Sequence, residues 1–214
     1  MADIFNEVDE EIRREQVKRL WDRYGILVVI AAVLLVAGVG GWRGYQWWEA
    51  KQAAEASVAY DTASELFDQG KNAEAEAAFA KLATDGSAGY RILARLRAAS
   101  AEKNPEAAVA AYDAISSDST VNATLQELAA VRAALLLSDT APLAEMTKRL
   151  EPLTAPGSAF RHTARELLAL ASIKAGDSAT AKKWIDMMLA DGDTPQGVRA
   201  RVDVLSTLNE GSKS

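Results

Sequence analysis

Residues 69–82 read QGKNAEAEAAFAKL, and residues 175–188 read AGDSATAKKWIDMM. In both stretches a glycine is followed by an alanine after five residues and by large apolar residues after nine and twelve. These positions are Gly70, Ala75, Phe79 and Leu82 in the first stretch and Gly176, Ala181, Ile185 and Met188 in the second. Between them, NPEAAVAAYDAI repeats the same internal spacing at Ala108, Tyr112 and Ile115. The pattern predicts a repeated unit in which glycine ends one helix and the apolar residues form the buried face of the next.

The separation of these stretches indicates the class of repeat. Ala75 and Ala108 are 33 residues apart, and the 73 residues from Ala108 to Ala181 leave room for one degenerate unit around residues 142–153. A period near 34, with a small residue where two helices cross, is typical of tetratricopeptide repeats. The small side chain lets the two helices touch, and the large one fills the groove beside it. The alternative interpretation is an irregular alanine-rich bundle.

Composition agrees with an all-α fold. About one residue in five is alanine, the best helix former, and no stretch shows the alternation of a strand. Asn104 before Pro105 predicts one capped helix start, and Thr124 with Glu127 predicts a capping box at another. We expect about four helical hairpins and a terminal helix. The predicted helices cover residues 47–68, 72–83, 89–102, 105–115, 123–137, 142–150, 159–174, 178–189 and 195–208.

Charge and residue content exclude several function classes. The net charge of −6 argues against a nucleic-acid partner bound by broad phosphate neutralisation. The absence of cysteine excludes disulfides, thiolate zinc sites and cysteine nucleophiles. His162 is the only histidine, and the sequence has no glycine-rich phosphate loop and no carboxylate pair placed for acid–base work. We therefore predict a protein that is not an enzyme and has no catalytic residue, no cofactor and no metal.

One segment near the N-terminus differs from the rest of the chain. The 19 residues YGILVVIAAVLLVAGVGGW, from Tyr24 to Trp42, carry no charge and lie between Arg23 and Arg43. At about 1.5 Å per residue, a helix of this length is close to the hydrocarbon thickness of a bilayer. Aromatic residues suited to the headgroup layers lie near both ends: Trp21, Tyr24, Trp42, Tyr45, Trp47 and Trp48. We predict a transmembrane helix over residues 24–45 rather than a core helix of a soluble protein.

The flanking charges predict the orientation of this helix. Five basic residues precede it, whereas only Arg43 and Lys51 lie in the first stretch beyond it. The positive-inside rule therefore places residues 1–23 in the cytoplasm and exports residues 46–214. Because no small-residue cleavage site follows the apolar run, we expect an uncleaved signal anchor rather than a signal peptide.

Two smaller features belong to the same region. Ile4, Val8 and Ile12 recur every four residues beside Phe5, a pattern that predicts a short amphipathic helix at the membrane face or against a partner. The alternative is a frayed terminus. Small residues spaced by four let two transmembrane helices approach closely, so helix–helix association and a homo-oligomer are open possibilities. The residues at this spacing are Ala37, Gly40, Gly41 and Gly44.

The exported part is expected to bind protein. From residue 51 onward it holds 22 acidic and 18 basic residues, a balance that disfavours an anionic ligand and leaves a polypeptide as the expected partner. Stacked hairpins present a surface that can hold a segment of another protein. The candidate contact residues on the first helices of the early repeats are Tyr60, Phe67, Tyr90 and Arg97. The alternative for the three aromatic residues is a place in the repeat core.

These features together give the chain a resemblance to a known family. The span closes in Gly41-Trp42-Arg43, Ala56-Ser57 and Ala59-Tyr60 follow it, and a Lys-Ala-Gly-Asp turn at residues 174–177 leads into the last repeat. In this order they resemble the YfgM-like family, the ancillary subunit of the bacterial SecYEG translocon. The resemblance implies a single-pass inner-membrane protein with a cytoplasmic N-terminus and a periplasmic tetratricopeptide domain. Residues 125–153 depart most from the repeat pattern.

Two functions of different class follow. The resemblance implies a membrane-anchored adaptor beside the export channel, whose partners are translocon subunits, periplasmic chaperones or exported chains. It implies no chemistry. The alternative is an envelope organiser, for division or wall assembly, that uses the same repeat scaffold for another protein partner.

Overall fold

A computed structural model describes the backbone of residues 2–211 and the side chains of residues 18 and 21–211. Within this part of the chain all regular structure is helical, which confirms the all-α prediction. The helices are α1 (Ala2–Asp68), α2 (Asn72–Asp85), α3 (Ala88–Ala101), α4 (Pro105–Ser116), α5 (Ala123–Leu137), α6 (Leu143–Leu150), a 3-10 helix (Glu151–Thr154), α7 (Arg161–Lys174), α8 (Ser178–Ala190) and α9 (Gln196–Gly211).

The chain divides into two compact units, residues 1–54 and residues 55–214. In the first unit, α1 contains an 18-residue segment with a mean hydropathy of 2.5, and only 6% of this segment is buried. An apolar helix that is hardly buried is not the core helix of a soluble protein, and its length and composition suit a membrane span. The predicted amphipathic face at Ile4, Phe5, Val8 and Ile12 lies outside the described side chains. The predicted boundaries of the span remain predictions.

The second unit is a stack of helical hairpins. The end of α1 pairs with α2, α3 with α4, α5 with α6 and α7 with α8, and α9 packs on the last hairpin. In three of the four second helices, the fourth residue is a buried alanine: Ala75, Ala108 and Ala181. The large residues that follow at the repeated offsets are also buried, namely Phe79, Leu82, Tyr112, Ile115, Ile185 and Met188. The sequence repeat therefore corresponds to the repeated helix–helix contact of the fold.

The third hairpin departs from this rule for a visible reason. Its second helix, α6, has Met146 at the fourth position, where the other second helices have alanine. The α-helix ends at Leu150 and continues as a 3-10 turn that contains Pro152. Proline cannot donate the backbone hydrogen bond that would extend the α-helix. The larger side chain and the short helix together explain why this unit is degenerate in sequence.

Gly70 and Gly176 end the first helices of the first and fourth hairpins in the same way. Their φ angles are +76° and +74°, in the left-handed region that favours glycine. In each turn the residue after the glycine donates its N–H to the carbonyl five residues back, Lys71 to Leu66 and Asp177 to Ser172. This is the Schellman arrangement.

The two turns differ in the residue that caps the following helix. Asp177 accepts a hydrogen bond from the Thr180 backbone N–H at 3.0 Å, whereas Lys71, with a similar backbone conformation, forms no side-chain cap. We expect Lys71→Asp to stabilise the repeat domain by about 0.5–1 kcal/mol, because a carboxylate there satisfies a free N–H and complements the helix dipole. Urea unfolding of the full chain in detergent, followed by circular dichroism, measures the change. Lys81→Asp, in the interior of α2, is the control, and an equal gain in that variant would contradict capping as the cause.

One predicted cap is wrong and another is confirmed. Asn104 caps α4 by accepting from the N–H groups of Glu106 and Ala107. The cap of α5 is Asn122 rather than Thr124, and its side chain accepts from the Thr124 N–H at 2.9 Å. Glu127 does not complete a capping box. It accepts instead from Ser158 Oγ and the Ala159 N–H, and so ties α5 to the loop before α7.

Candidate functional site

Three of the four predicted contact residues meet where α3 packs against the first hairpin. The Tyr60 ring lies 5.9 Å from the Tyr90 ring and edge-on to Phe79 at 5.6 Å, between ring centroids. Arg97 Nε donates to the Tyr60 hydroxyl at 3.1 Å. Both tyrosines are half-buried against the core cluster around Phe79, while Arg97 is exposed. The rings thus contribute to the repeat core and leave the guanidinium of Arg97 at the surface.

Phe67 lies apart from these residues. It is two turns beyond Tyr60 on α1, 37% exposed, and is not packed on the same core cluster. The structure therefore does not bring the four predicted contact residues into one surface. Their role in binding a partner remains a prediction.

A groove that sequence reasoning missed lies between α3, α4 and α5, and we call it the α3–α5 groove. Its volume is about 260 Å³. Its floor and walls are largely apolar, and Leu135 and Leu136 are 48% and 44% exposed. Arg132 extends along it and donates from Nη1 to the Tyr112 hydroxyl at 3.4 Å. The lining residues are Ala99, Ser100, Glu102, Ala108, Tyr112, Arg132, Leu135 and Leu136.

A repeat signal for this groove is present in the sequence. Arg97 and Arg132 are 35 residues apart, and each is the tenth residue of the first helix of its hairpin, α3 or α5. Ser100, one turn after Arg97 on the same face of α3, lines the groove. A search for matched exposed residues, in addition to matched buried ones, would have found the pair.

Most other arginines of the second unit are neutralised by carboxylates of the same chain. Ion pairs join hairpin to hairpin or helix to loop throughout the stack: Arg95–Asp118, Arg149–Asp113, Arg161–Asp191, Arg165–Asp191 and Arg201–Glu166. Arg97 and Arg132, by contrast, donate to tyrosine hydroxyls, and no ion pair to a carboxylate is formed by either among the described side chains. Both guanidinium groups keep donors that face solvent.

A second groove, of about 360 Å³, lies between α2, α3 and α4. Small side chains line most of it, including Ala80, Ala83 and Ala111. Its cation, Arg95, is held by Asp118 at 2.6 Å. Ile115, the large apolar side chain of this groove, is buried, so the groove offers a partner neither an exposed large apolar side chain nor an unpaired cation among its lining residues.

The small residues of the span face open space within the described chain. Ala37, Gly40, Gly41 and Gly44 are exposed, and a Cβ added at any of the three glycines would meet no atom within 4 Å. Nothing in the described fold thus occupies this face. Its use for helix–helix packing remains a prediction.

His162 belongs to a polar network at the end of the stack. Its Nδ1 lies 3.3 Å from Thr194 Oγ1 and 4.0 Å from Asp191 Oδ2. Burial, and then the neighbouring charge of Arg161, lower the pKa of His162 below its usual value. Asp191 accepts hydrogen bonds from Arg161 and Arg165, which connect α7 to the loop after α8. Among the residues that the structure describes, no group of three His, Cys, Asp or Glu is placed to hold a metal ion.

Two carboxylates that accept hydrogen bonds from arginines make the stability of the repeat domain depend on pH. Hydrogen bonds from Thr120 and Arg95 lower the pKa of Asp118 to about 2, and those from Arg161 and Arg165 hold the pKa of Asp191 well below its usual range. A pKa that is lower in the folded state adds stability above about pH 4, and this is lost as the pH falls through the folded value. We expect the urea midpoint of the repeat domain to fall between about pH 4 and pH 2.

The variant Asp118→Asn separates this contribution from that of other carboxylates. It should unfold at lower urea than the parent at pH 7 and lose less on acidification to pH 2. Parallel pH curves for the parent and the variant would contradict the assignment to Asp118.

Comparison with known proteins agrees with the geometry. A family model described as a tetratricopeptide repeat-like domain matches residues 18–206. An ancillary SecYEG translocon subunit of Haemophilus influenzae is 36% identical to the chain over 67 residues, which are 31% of this chain and 33% of that protein. The similarity to this curated relative thus spans about a third of its length. No solved structure matches the chain.

Proposed function

The chain belongs to the tetratricopeptide repeat-like family, whose model covers residues 18–206, and we propose that it is a membrane-anchored, non-enzymatic adaptor beside the protein-export channel. Its repeat domain would bind exported polypeptides or periplasmic chaperones. Residues 1–23 would lie in the cytoplasm, and the repeat domain in the periplasm of a bacterial inner-membrane protein. The proposed partners are therefore proteins of the translocon and its exported clients.

The observation that carries the proposal is the stack of hairpins with an open groove between α3 and α5. Repeat folds of this class bind other proteins through surfaces that several hairpins build together. The exposed apolar window of α1 supports the membrane anchor, because an apolar helix with so little burial needs a nonaqueous surrounding. The polar groups around His162 link α7 to the loop between α8 and α9, which supports a structural role for them.

The position beside the export channel is supported by the relative from Haemophilus influenzae, which carries the name of an ancillary translocon subunit. The similarity covers about a third of each chain. The relative therefore supports the position beside the export channel, and the groove supports the binding of a polypeptide. The two observations come from different sources and are tested separately.

Photo-crosslinking in cells tests the proposed position beside the export channel. A photoreactive residue placed at exposed positions of the span, Leu34 and Leu35, should form crosslinks to subunits of the export channel. The control positions are Glu74 and Glu76, exposed on α2 of the repeat domain. Crosslinks from the span to division or wall-assembly proteins, without channel subunits, would instead support the envelope organiser and overturn the proposal.

A further inference from the structure

We propose that the α3–α5 groove binds an extended peptide segment in which carboxylate side chains alternate with apolar side chains of about leucine size. This inference rests on the proposed adaptor function and specifies the chemistry of the polypeptide that the repeats hold. It assigns the contact to Arg132, Leu135 and Leu136, with Arg97 beside them.

Two neighbouring leucines of the groove are exposed to solvent. Leu135 and Leu136 are each nearly half exposed on α5, beside the buried ring of Tyr112. Covering such side chains releases free energy in proportion to the apolar area removed from water. A groove of about 260 Å³ accommodates one or two aliphatic side chains rather than a folded domain. The occupant therefore presents single side chains, as an extended segment does.

Arg132 forms no ion pair with a carboxylate among the described side chains. Its described hydrogen bond goes to a neutral hydroxyl at 3.4 Å, whereas the ion-paired arginines reach carboxylates at 2.5–3.1 Å. The acid that lines the groove, Glu102, accepts from the Asn104 N–H at the start of α4. A planar guanidinium with free donors matches a carboxylate in a two-point contact. Glu102 forms no ion pair with Arg132 among the described side chains, so the free donors of Arg132 are available to a carboxylate of a partner.

A second cation lies one repeat away in the same register. Arg97 occupies on α3 the place that Arg132 occupies on α5, and its described hydrogen bond also ends on a tyrosine hydroxyl. Asp68 attracts Arg97 weakly without forming an ion pair. Arg97 lies outside the residues that line the groove, but Ser100, one turn further along α3, is one of them. Stacked hairpins build extended surfaces, so we expect a segment that leaves the groove along α3 to reach Arg97.

Net charge alone predicts the opposite preference. The excess of acidic residues over the whole domain disfavours an acidic partner, as the sequence analysis concluded. Five arginines elsewhere in the repeat domain form ion pairs with carboxylates, whereas Arg97 and Arg132 form none among the described side chains. Local charge at the groove therefore sets the preference, because surface charges beyond about one Debye length are screened.

The test uses the full chain in detergent micelles and two fluorescein-labelled octapeptides, which differ only in that two aspartates of the first are asparagines in the second. Both peptides carry leucines between these positions. Fluorescence anisotropy at low and high salt measures the affinity. We expect the aspartate peptide to bind about tenfold more tightly than the asparagine peptide, and the difference to shrink as salt rises.

Matched variants locate the contact. Arg132→Gln should remove most of the preference for the aspartate peptide, and Arg97→Gln a smaller part. Arg91→Gln is the control, since Arg91 is exposed on α3 but lies about 120° around the helix from Arg97. Leu135→Ser should weaken both peptides alike. Circular dichroism of each variant shows whether the fold is retained, and all four side chains are on the surface.

The outcomes separate this inference from the proposed function. Equal affinity for the two peptides, a preference retained in Arg132→Gln, or no binding of either peptide would overturn the inference. If the span still forms crosslinks to channel subunits in that case, the adaptor function stands and only the groove assignment fails. If the peptides bind as expected while the span forms crosslinks to other proteins, the groove does bind such peptides but the proposed position beside the export channel is wrong.

Discussion

Replacing Phe79 with alanine is expected to destabilise the repeat domain by about 3–5 kcal/mol, a large part of the stability of a typical domain. Phe79 is 1% exposed and lies at the repeated large-apolar position of α2. Its ring packs edge-on against Tyr60 and lies in the cluster that joins the end of α1 to α2 and α3. Truncation leaves a cavity that the neighbouring alanines, Ala63 and Ala75, are too small to fill.

Urea unfolding of the full chain in detergent, followed by circular dichroism, measures this loss. Phe67→Ala is the matched control, because Phe67 lies on the neighbouring helix and is 37% exposed. We expect that variant to differ from the parent by less than about 0.5 kcal/mol. Phe79→Leu should fall between the two. Similar losses at both phenylalanines would show that Phe67 is part of a packed core and would contradict the description of the first hairpin.

Replacing Arg165 with methionine is expected to cost about 2–4 kcal/mol. Arg165 is 4% exposed, and its Nε and Nη2 donate to the Thr154 carbonyl at 3.2 and 2.8 Å. Its Nη1 donates to Asp191 Oδ2 at 2.8 Å. Methionine fills most of the volume of the arginine side chain. It leaves the Thr154 carbonyl without the Arg165 donors, and Asp191 loses one of the two arginines that donate to it. Removing one partner of a buried pair is costly because the other partner stays desolvated.

Lys182→Met is the control for this prediction. Lys182 pairs with Asp186 on α8, and both side chains are largely exposed. Exposed pairs contribute little, so we expect a change of no more than about 0.5 kcal/mol. The difference in urea midpoint between the two variants measures what burial adds to an ion pair in this fold. Equal effects would show that the hydrogen bonds of Arg165 contribute no more to the free energy of unfolding than an exposed ion pair does.

The helices themselves were largely predictable from local sequence. The predicted helix over residues 123–137 coincides with α5, and those over 72–83 and 178–189 miss only the last residues of α2 and α8. These segments combine high helix propensity with glycine, asparagine or proline at their ends, and such signals act over a few residues. The 3-10 turn after Leu150 was not predicted, since it depends on how Leu153 and Thr154 pack beneath α7.

The candidate site was less predictable. The sequence favours Tyr60, Tyr90 and Arg97 as partner contacts, with the repeat core as the alternative for the aromatic residues, and the structure packs Tyr60 and Tyr90 against the core of the first hairpin. The sequence does not show that Arg97 and Arg132 form no ion pair within the described part of the chain, because their possible partners lie on other helices. Glu127 illustrates the same limit. Its spacing from Thr124 suggested a local cap, whereas the fold places it against Ser158, 31 residues away.

Sequence alone determined the apolar helix near the N-terminus, the all-α class, the repeat and the buried alanines at Ala75, Ala108 and Ala181. Each of these follows from periodicity or composition within one or two helices, where spacing along the chain sets spacing in space. Only the tertiary structure decided which charges are neutralised and which side chains enclose the α3–α5 groove. Those properties depend on distances between helices that are far apart in sequence, and the stacking of the hairpins sets those distances.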